Sequence, residues 1–541
     1  MIAAAQRRVE ELRITRQRCA QARLLLAPAL HFSARRAARR PATRALAERT
    51  VQSLSGVRVA RARERLATLA EYEREPVRAR DAGGGFRSRG SGGILGVARI
   101  PSELAPPRDL HGELMSLPQD LKETLTFILA GGQGERLMPL TTVRSKPAVP
   151  FGGVYRIIDF TLSNCIHSGL RRIYVLTQYQ ARSLEEHIRF GWNFLPRRLE
   201  QFISVSPPHH ASVGEWYVGT ADAIYKNLDL LQEERASQVL ILSGDHIYKM
   251  DYGAMLEEHI ARGAALTIGA VRIPAAESRR FGVLEVDEKN QVVSFAEKPK
   301  VGKEIPGMPG TCLGSMGIYI FETKELIRRL RADAELGAQS NHDFGKDVLP
   351  RMIGEVPVYA HHFIGTDKDA EPYWRDVGTL DAYYEASMDL CSIKPHFNLY
   401  DSKWPIYSLW HADPPAKTVL DEDGRRAEVV DSLLCAGVVV SGGRVKRSIL
   451  SNRCLVQEGA VVEDSILFGG VTVRPGAKIK RAILDKWTEV PSGERIGYDL
   501  ELDKKRFTVT PEGVVCVPSR YPFAGSTPRS DVNMNFPRPG E

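Results

Sequence analysis

The stretch Leu125-Thr-Phe-Ile-Leu-Ala-Gly-Gly-Gln-Gly-Glu-Arg-Leu-Met-Pro139 decides how the chain is read. Its first six residues form a short apolar run that stops at glycines, the pattern of a strand buried on both faces. Gly131, Gly132 and Gly134 follow at once. Lacking Cβ atoms, they let backbone N–H groups converge on an anion, while Arg136 and Lys146 add a fixed and a mobile positive charge for phosphate oxygens. The loop has neither the Gly-Lys-Ser/Thr ending of a Walker loop nor the spacing of a dinucleotide fingerprint. A glycine turn alone is as often structural as functional. One followed by Arg136 and then by Lys146-Pro147 is far more specific.

Further apolar runs at Arg172–Thr177, Val239–Leu242 and Ala265–Val271 also read as buried strands. Amphipathic helices are expected between them near 159–168, 181–190 and 221–233, and another from Tyr373 to about Leu390. Strands alternating with helices predict a parallel sheet covered on both faces, with ligands at the carboxyl ends of its strands. After Pro395 the pattern changes. Val440, Val445, Leu450, Val456, Val461, Ile466 and Val471 recur every five or six residues, punctuated by glycines. That period fits neither a helix nor a simple strand. It predicts a hexapeptide-type parallel β-helix with one aliphatic stacked inside each face, a short-stranded β-barrel being the alternative.

The 541 residues are enough for two to four domains, and no apolar stretch is long enough to span a bilayer. The net charge of +8 misleads: residues 1–114 hold 23 Arg, no Lys and 11 acids, so the remainder carries a net charge of −4. Past residue 114 there is no electrostatic case for nucleic acid. The Arg/Ala-rich segment admits a transit peptide or a basic arm, but it reads best as an extension outside the native protein, with Met115 as the start. Seven scattered cysteines without a C-x-x-C pair suggest a reducing compartment. The pairs His209-His210 and His361-His362 lack further ligands at zinc spacing.

The glycine-loop string resembles the signature of sugar-nucleotide pyrophosphorylases. Phe151–Cys165, Trp216–Ala223, Gly244–Lys249, Ser315–Tyr319, His342–Asp347 and Tyr373–Thr379 narrow the likeness to glucose-1-phosphate adenylyltransferases of the bacterial glycogen type. The resemblance runs from about Leu125 to the C-terminal region. It implies a Rossmann-like nucleotidyltransferase domain with a mostly parallel mixed sheet over 115–395, then a linker and a left-handed parallel β-helix over 396–541. It also implies ATP and α-D-glucose 1-phosphate as substrates, ADP-glucose and pyrophosphate as products, small-molecule effectors, and a cytoplasmic homotetramer serving glycogen synthesis. A membrane or nucleic-acid partner is not expected.

Asp245 follows the strand Val239–Leu242, where an acid can hold Mg²⁺ or cap a helix. Asp376 is the natural second ligand, and the resemblance implies this pair; alone, Asp376 could equally pair with Arg375. Arg136, Lys146 and Asp245 are the catalytic candidates, and Gly131, Gly132, Gly134 and Arg136 those for ATP. For the sugar phosphate the resemblance points to Tyr217, Gly282, Glu297, Lys298 and Ser315. Trp216 reads as packing. Arg144 and Arg156 are candidate effector ligands, or else ordinary arginines at the core edge.

The likeness departs at Val143, where activator-binding members often carry a lysine, at Glu233 in place of an inhibitor-site arginine, and at Gln133. A catalytically silent regulatory subunit would be expected to lack Asp245, Lys298 or Arg136, and all three are present. UTP or dTTP remains open as the nucleotide. A hexapeptide acyltransferase has no candidate catalytic histidine, since none follows His411.

Overall fold

The computed structural model describes residues 118–208, 216–366, 372–420 and 423–523. The expectations for residues 1–114 and for His209-His210 lie outside them. In chain order the strands that position the site are β1 (Thr124–Ala130), β2 (Arg172–Thr177), β3 (Phe202–Ser206), β4 (Gln238–Ser243), β5 (His246–Tyr248), β6 (Leu266–Pro274), β7 (Gly282–Val286), β8 (Val292–Glu297), β9 (Met308–Glu322), β10 (Val358–His362) and β11 (Trp374–Asp376).

The main sheet is mixed, with order β8-β7-β9-β4-β1-β2-β3, and β6 and β10 joined on through β9. Its half around the glycine turn is all parallel, β4-β1-β2-β3. Leu125, Phe127 and Ile128 are fully buried, as a central strand covered on both faces requires. The long antiparallel strand β9 changes neighbours along its length. Its first half lies between β6 and β7, its second between β6 and β4. The register slips between Ser315 and Tyr319, so Ser315 stands at the irregularity.

Two expected helices differ. The segment expected as one helix over 221–233 is two, Thr220–Tyr225 and Leu228–Glu234. At the break the Asn227 side chain donates to Ala223 O at 2.8 Å and to Tyr217 Oη at 3.1 Å. Tyr373 does not open a helix: β11 comes first, and the helix Leu380–Asp389 starts where the Thr379 hydroxyl accepts from Ala382 N. Among the described residues no helix is long and apolar enough to cross a membrane. Cys165, Cys312, Cys391, Cys435, Cys454 and Cys516 are free thiols.

The C-terminal part forms three parallel faces, consistent with a left-handed β-helix. The β-barrel alternative falls, because successive coils pair strand on strand in parallel. Inside, Val445, Val462, Ile479 and Ile496 form one ladder, at 17-residue steps. Val461 and Ile466 depart from the expected inward series: Val461 is half-exposed, with Val462 in the inner position, and Ile466 faces the first domain, with Leu467 inside. A period near five and a half residues cannot fix which of two adjacent valines turns in. Outward-facing Ile449, Ile466 and Ile483 pack against the first domain, in one cluster with Phe151, Phe160 and Tyr383. Val462→Ala should cost about 1.5–3 kcal/mol and Val461→Ala under about 1 kcal/mol, measured by urea unfolding; equal costs would refute the register.

Candidate active site

The glycine turn leaves β1 at the edge where β1, β2 and β4 end. Gly134 has φ +64°, and a Cβ there would lie 3.0 Å from the Thr141 side chain and 3.2 Å from Lys146 Cβ. Glycine therefore lets the loop fold back over Lys146. Lys146 is buried, and its Nζ lies 2.9 Å from Asp245 Oδ2 and 2.8 Å from Asp376 Oδ1.

Short-range geometry brings the two acids together. Asp245 sits in the turn between β4 and β5, and β5 pairs antiparallel with β11, aligning His246 with Asp376. Ligand atoms of Asp245, His246 and Asp376 all lie within 4.8 Å of one another. Burial pushes the Asp245 carboxyl up, but the Lys146 ammonium and then His246 hold it well below the usual carboxylate range. Burial likewise opposes ionisation of Asp376, and Lys146 again brings it below its ordinary value. Burial pulls Lys146 down, and the two carboxylates more than reverse this. The pocket therefore already accommodates a cation between two hard oxygen donors, a set that fits Mg²⁺. Asp376 does not pair with Arg375; its second oxygen faces Arg280 Nη2 at 3.8 Å.

The remaining candidates ring this cluster. Arg136 is exposed and lies over Gly378, where a Cβ would be 3.1 Å from Arg136 Nη2 and 2.8 Å from Asp376 Oδ1. Gly282 and Glu297 face each other across β7 and β8. A Cβ on Gly282 would run into the Phe295 ring, and one on Gly345 would come within 2.6 Å of Glu297 Oε2. Lys298 is exposed and turned onto Glu297 Oε1 at 2.7 Å. Asp343, in the same turn as Gly345, accepts from the Thr220 hydroxyl at 3.0 Å. Tyr217 is bonded by Asn227, and Gln178 Nε2 meets its carbonyl at 3.5 Å. A Cβ on Gly131 would lie 2.9 Å from Gln178 Cβ, so the Gln178 side chain closes the ring at the glycine turn. Gly132 is exposed on that turn. Ser315 is buried and its hydroxyl accepts from Gly317 N at 3.3 Å. Trp216 is 54% exposed, which does not fit the packing role expected of it.

Sequence reasoning gave no role to Arg280, His246, Gln178 or Asn227. His246 lies in the string Gly244–Lys249 and Arg280 opens Arg-Phe-Gly-Val around Gly282, but neither string marks these two side chains out.

Residues 125–393 match the nucleotidyl transferase family model, and residues 414–517 match the GlmU-like C-terminal hexapeptide model. A glucose-1-phosphate adenylyltransferase of Rhodopirellula baltica is 48% identical over 402 residues, 73% of this chain and 90% of that protein. The chain belongs to the glucose-1-phosphate adenylyltransferase family. Glucose-1-phosphate adenylyltransferase 2 of Vibrio cholerae is 48% identical over 406 residues, 75% of this chain and all of that protein. The Koribacter versatilis member is 49% identical over 401 residues, 74% of this chain and 96% of that protein.

This member of the family gathers a second set of charges where its two domains meet. Arg144 is buried, with Nη1 2.9 Å from Asp485 Oδ2 on the β-helix and 3.0 Å from Leu140 O. Arg156 Nη1 donates to Ser183 O at 2.6 Å and to Ser183 Oγ at 2.9 Å, and burial pushes its guanidinium down to about 10. Lys486 follows Asp485 on the β-helix. Burial, then Arg156 and Arg144, push it down to about 7, with Asp485 opposing. Behind them Asp159 accepts from Trp192 Nε1 at 2.9 Å and meets His187 Nε2 at 2.6 Å. Burial, the larger cause, and Lys486 and Arg156 among the smaller ones keep His187 below its ordinary value. His411 is lowered too, by burial first and by Lys486 among lesser causes.

Because the folded-state value of Lys486 lies below its unfolded one, charging it opposes folding. The penalty is small at pH 10, grows as pH falls, and is complete below about pH 7. Lys486→Met should therefore stabilise the protein more at pH 6 than at pH 9, by on the order of 1–3 kcal/mol. Thermal melting at the two pH values tests this, and an equal shift at both would contradict the charge cluster.

Proposed function

We propose that the chain transfers the adenylyl group of ATP to α-D-glucose 1-phosphate, giving ADP-glucose and pyrophosphate. The observation that carries this reading is the Asp245–Lys146–Asp376 cluster at the ends of parallel strands, between the glycine turn and the Gly282–Glu297 wall. The name borne by the relatives supports the adenine nucleotide.

A phosphate oxygen of the sugar attacks the α-phosphorus of ATP in line. It is already anionic, so no general base is required, and catalysis is positioning plus charge stabilisation. The glycine turn and Arg136 hold the β- and γ-phosphates and favour departure of pyrophosphate. Glu297, Gly282, Tyr217 and Ser315 seat the sugar, and Lys298 faces its phosphate. Lys146 keeps both carboxylates ionised and in register while offsetting repulsion between two anionic substrates. Asp245 and Asp376 would hold Mg²⁺, which supplies charge neutralisation on the reacting phosphates when bound.

The interdomain cations Arg144, Arg156 and Lys486 suit a small anionic effector, so the same reading makes the enzyme regulated. It also includes a homotetramer in the cytoplasm, a product used for glycogen, and an activity that does not need residues 1–114.

Pyrophosphate release measured across nucleotides and sugar phosphates tests these statements. Mg²⁺-dependent turnover is expected with ATP and glucose 1-phosphate. Asp245→Asn should lower it about 10²–10³-fold. Turnover with UTP equal to that with ATP would defeat the adenine assignment, and a chain silent with every nucleotide would be a regulatory subunit. Sugar phosphates or inorganic phosphate should shift the rate, and Lys486→Met should weaken that response. A chain starting at Met115 should match the full-length rate.

A further inference from the structure

Arg280 stands at the seam between the two halves of the cleft. It ends the turn Ala275–Arg280, two residues before Gly282, and the carbonyl of its neighbour Phe281 accepts from Lys298 N at 3.0 Å. On one side, therefore, its backbone belongs to the wall that carries Glu297 and Lys298. On the other its guanidinium reaches the carboxylate pair, with Nη2 3.8 Å from Asp376 Oδ2.

The guanidinium of this side chain is held by long contacts. The guanidinium carbon lies 5.7 Å from the centre of the Phe281 ring, and Phe281 packs on Trp374 at 5.5 Å between centroids. Among the described residues the tip has one further ion pair, to Glu277 at 3.3 Å within the same turn, and the side chain is 45% exposed. Two long contacts leave most of the five N–H donors of the fork for another acceptor. Lys298, turned onto Glu297 at 2.7 Å, adds a point charge on the same wall but no planar fork. A sugar seated against Gly282 and Glu297 would direct its phosphate toward Asp245 and Asp376, and Arg280 runs from that wall to Asp376.

We propose that Arg280 binds the phosphate of glucose 1-phosphate and aims its attacking oxygen. The planar fork takes two oxygens of a phosphate and so fixes an orientation, which a lysine's point charge does not. Arg136, on the glycine turn, serves the opposite side of the α-phosphorus. This assignment rests on the adenylyltransferase reading, and wild-type turnover separates failure of that reading from failure of this one.

The test is steady-state kinetics on the full chain carrying Arg280→Ala or Arg280→Lys, in both directions. Arg280→Ala should raise KM for glucose 1-phosphate, and for ADP-glucose in reverse, about ten- to a hundredfold. KM for ATP and for pyrophosphate should stay within about twofold, a split that a general loosening of the fold would not produce. Arg280→Lys should fall between wild type and Arg280→Ala. An unchanged KM for glucose 1-phosphate beside an active wild type would overturn the assignment, as would a parallel rise for ATP or pyrophosphate.

Discussion

One ammonium held between two carboxylates is the constraint on which the rest of this molecule depends. Lys146 and Asp376 are 230 positions apart in the chain, yet their charged atoms are in hydrogen-bond contact. Two carboxylates whose oxygens lie within 4.8 Å of each other repel strongly in a partly buried pocket. Lys146 removes that repulsion and keeps both acids ionised. Losing one member of a buried set costs about 3–5 kcal/mol, and less here because Asp245 is 28% exposed. The local fold is organised around this contact. The positive φ of Gly134 makes room over Lys146, the β5–β11 pairing sets Asp376 beside His246, and β4 ends where Asp245 must begin.

The same short segment also ties the cleft to the β-helix. Arg144 and Lys146 are separated by a single residue. Arg144 is held by Asp485 on the β-helix, and Lys146 by Asp245 and Asp376 in the cleft. Outward-facing Ile449, Ile466 and Ile483 press on the same domain. The interdomain cations and the Asp245–Lys146–Asp376 cluster are thus joined through one short stretch of backbone.

Much of this was legible in the sequence because it rests on local patterns. Buried parallel strands announce themselves as apolar runs, so Leu125–Ala130 and Arg172–Thr177 were found almost to the residue. The aliphatic period disclosed the β-helix for the same reason. Features set by a single side chain in three dimensions were not visible. The break at Asn227 depends on bonds to Ala223 and Tyr217, and the choice of Val462 over Val461 depends on stacking with the coils above and below. In the cleft, Asp245 and Asp376 were legible through their motif strings. The roles of Arg280 and Gln178 were not, since their relevance comes from what the fold places next to them.

The 17-residue step between the middle coils binds chain length to geometry in two ways. It keeps Val445, Val462, Ile479 and Ile496 stacked inside, and it keeps Ile449, Ile466 and Ile483 aligned as an outer ridge. Inserting one residue in the middle coils would turn the following strand over, sending an inner aliphatic to solvent and taking a ridge isoleucine off the neighbouring domain. A whole added coil preserves both alignments. A single-residue change of length fits only in a turn between faces, as where the step of 16 from Val429 to Val445 becomes 17 from Val445 to Val462.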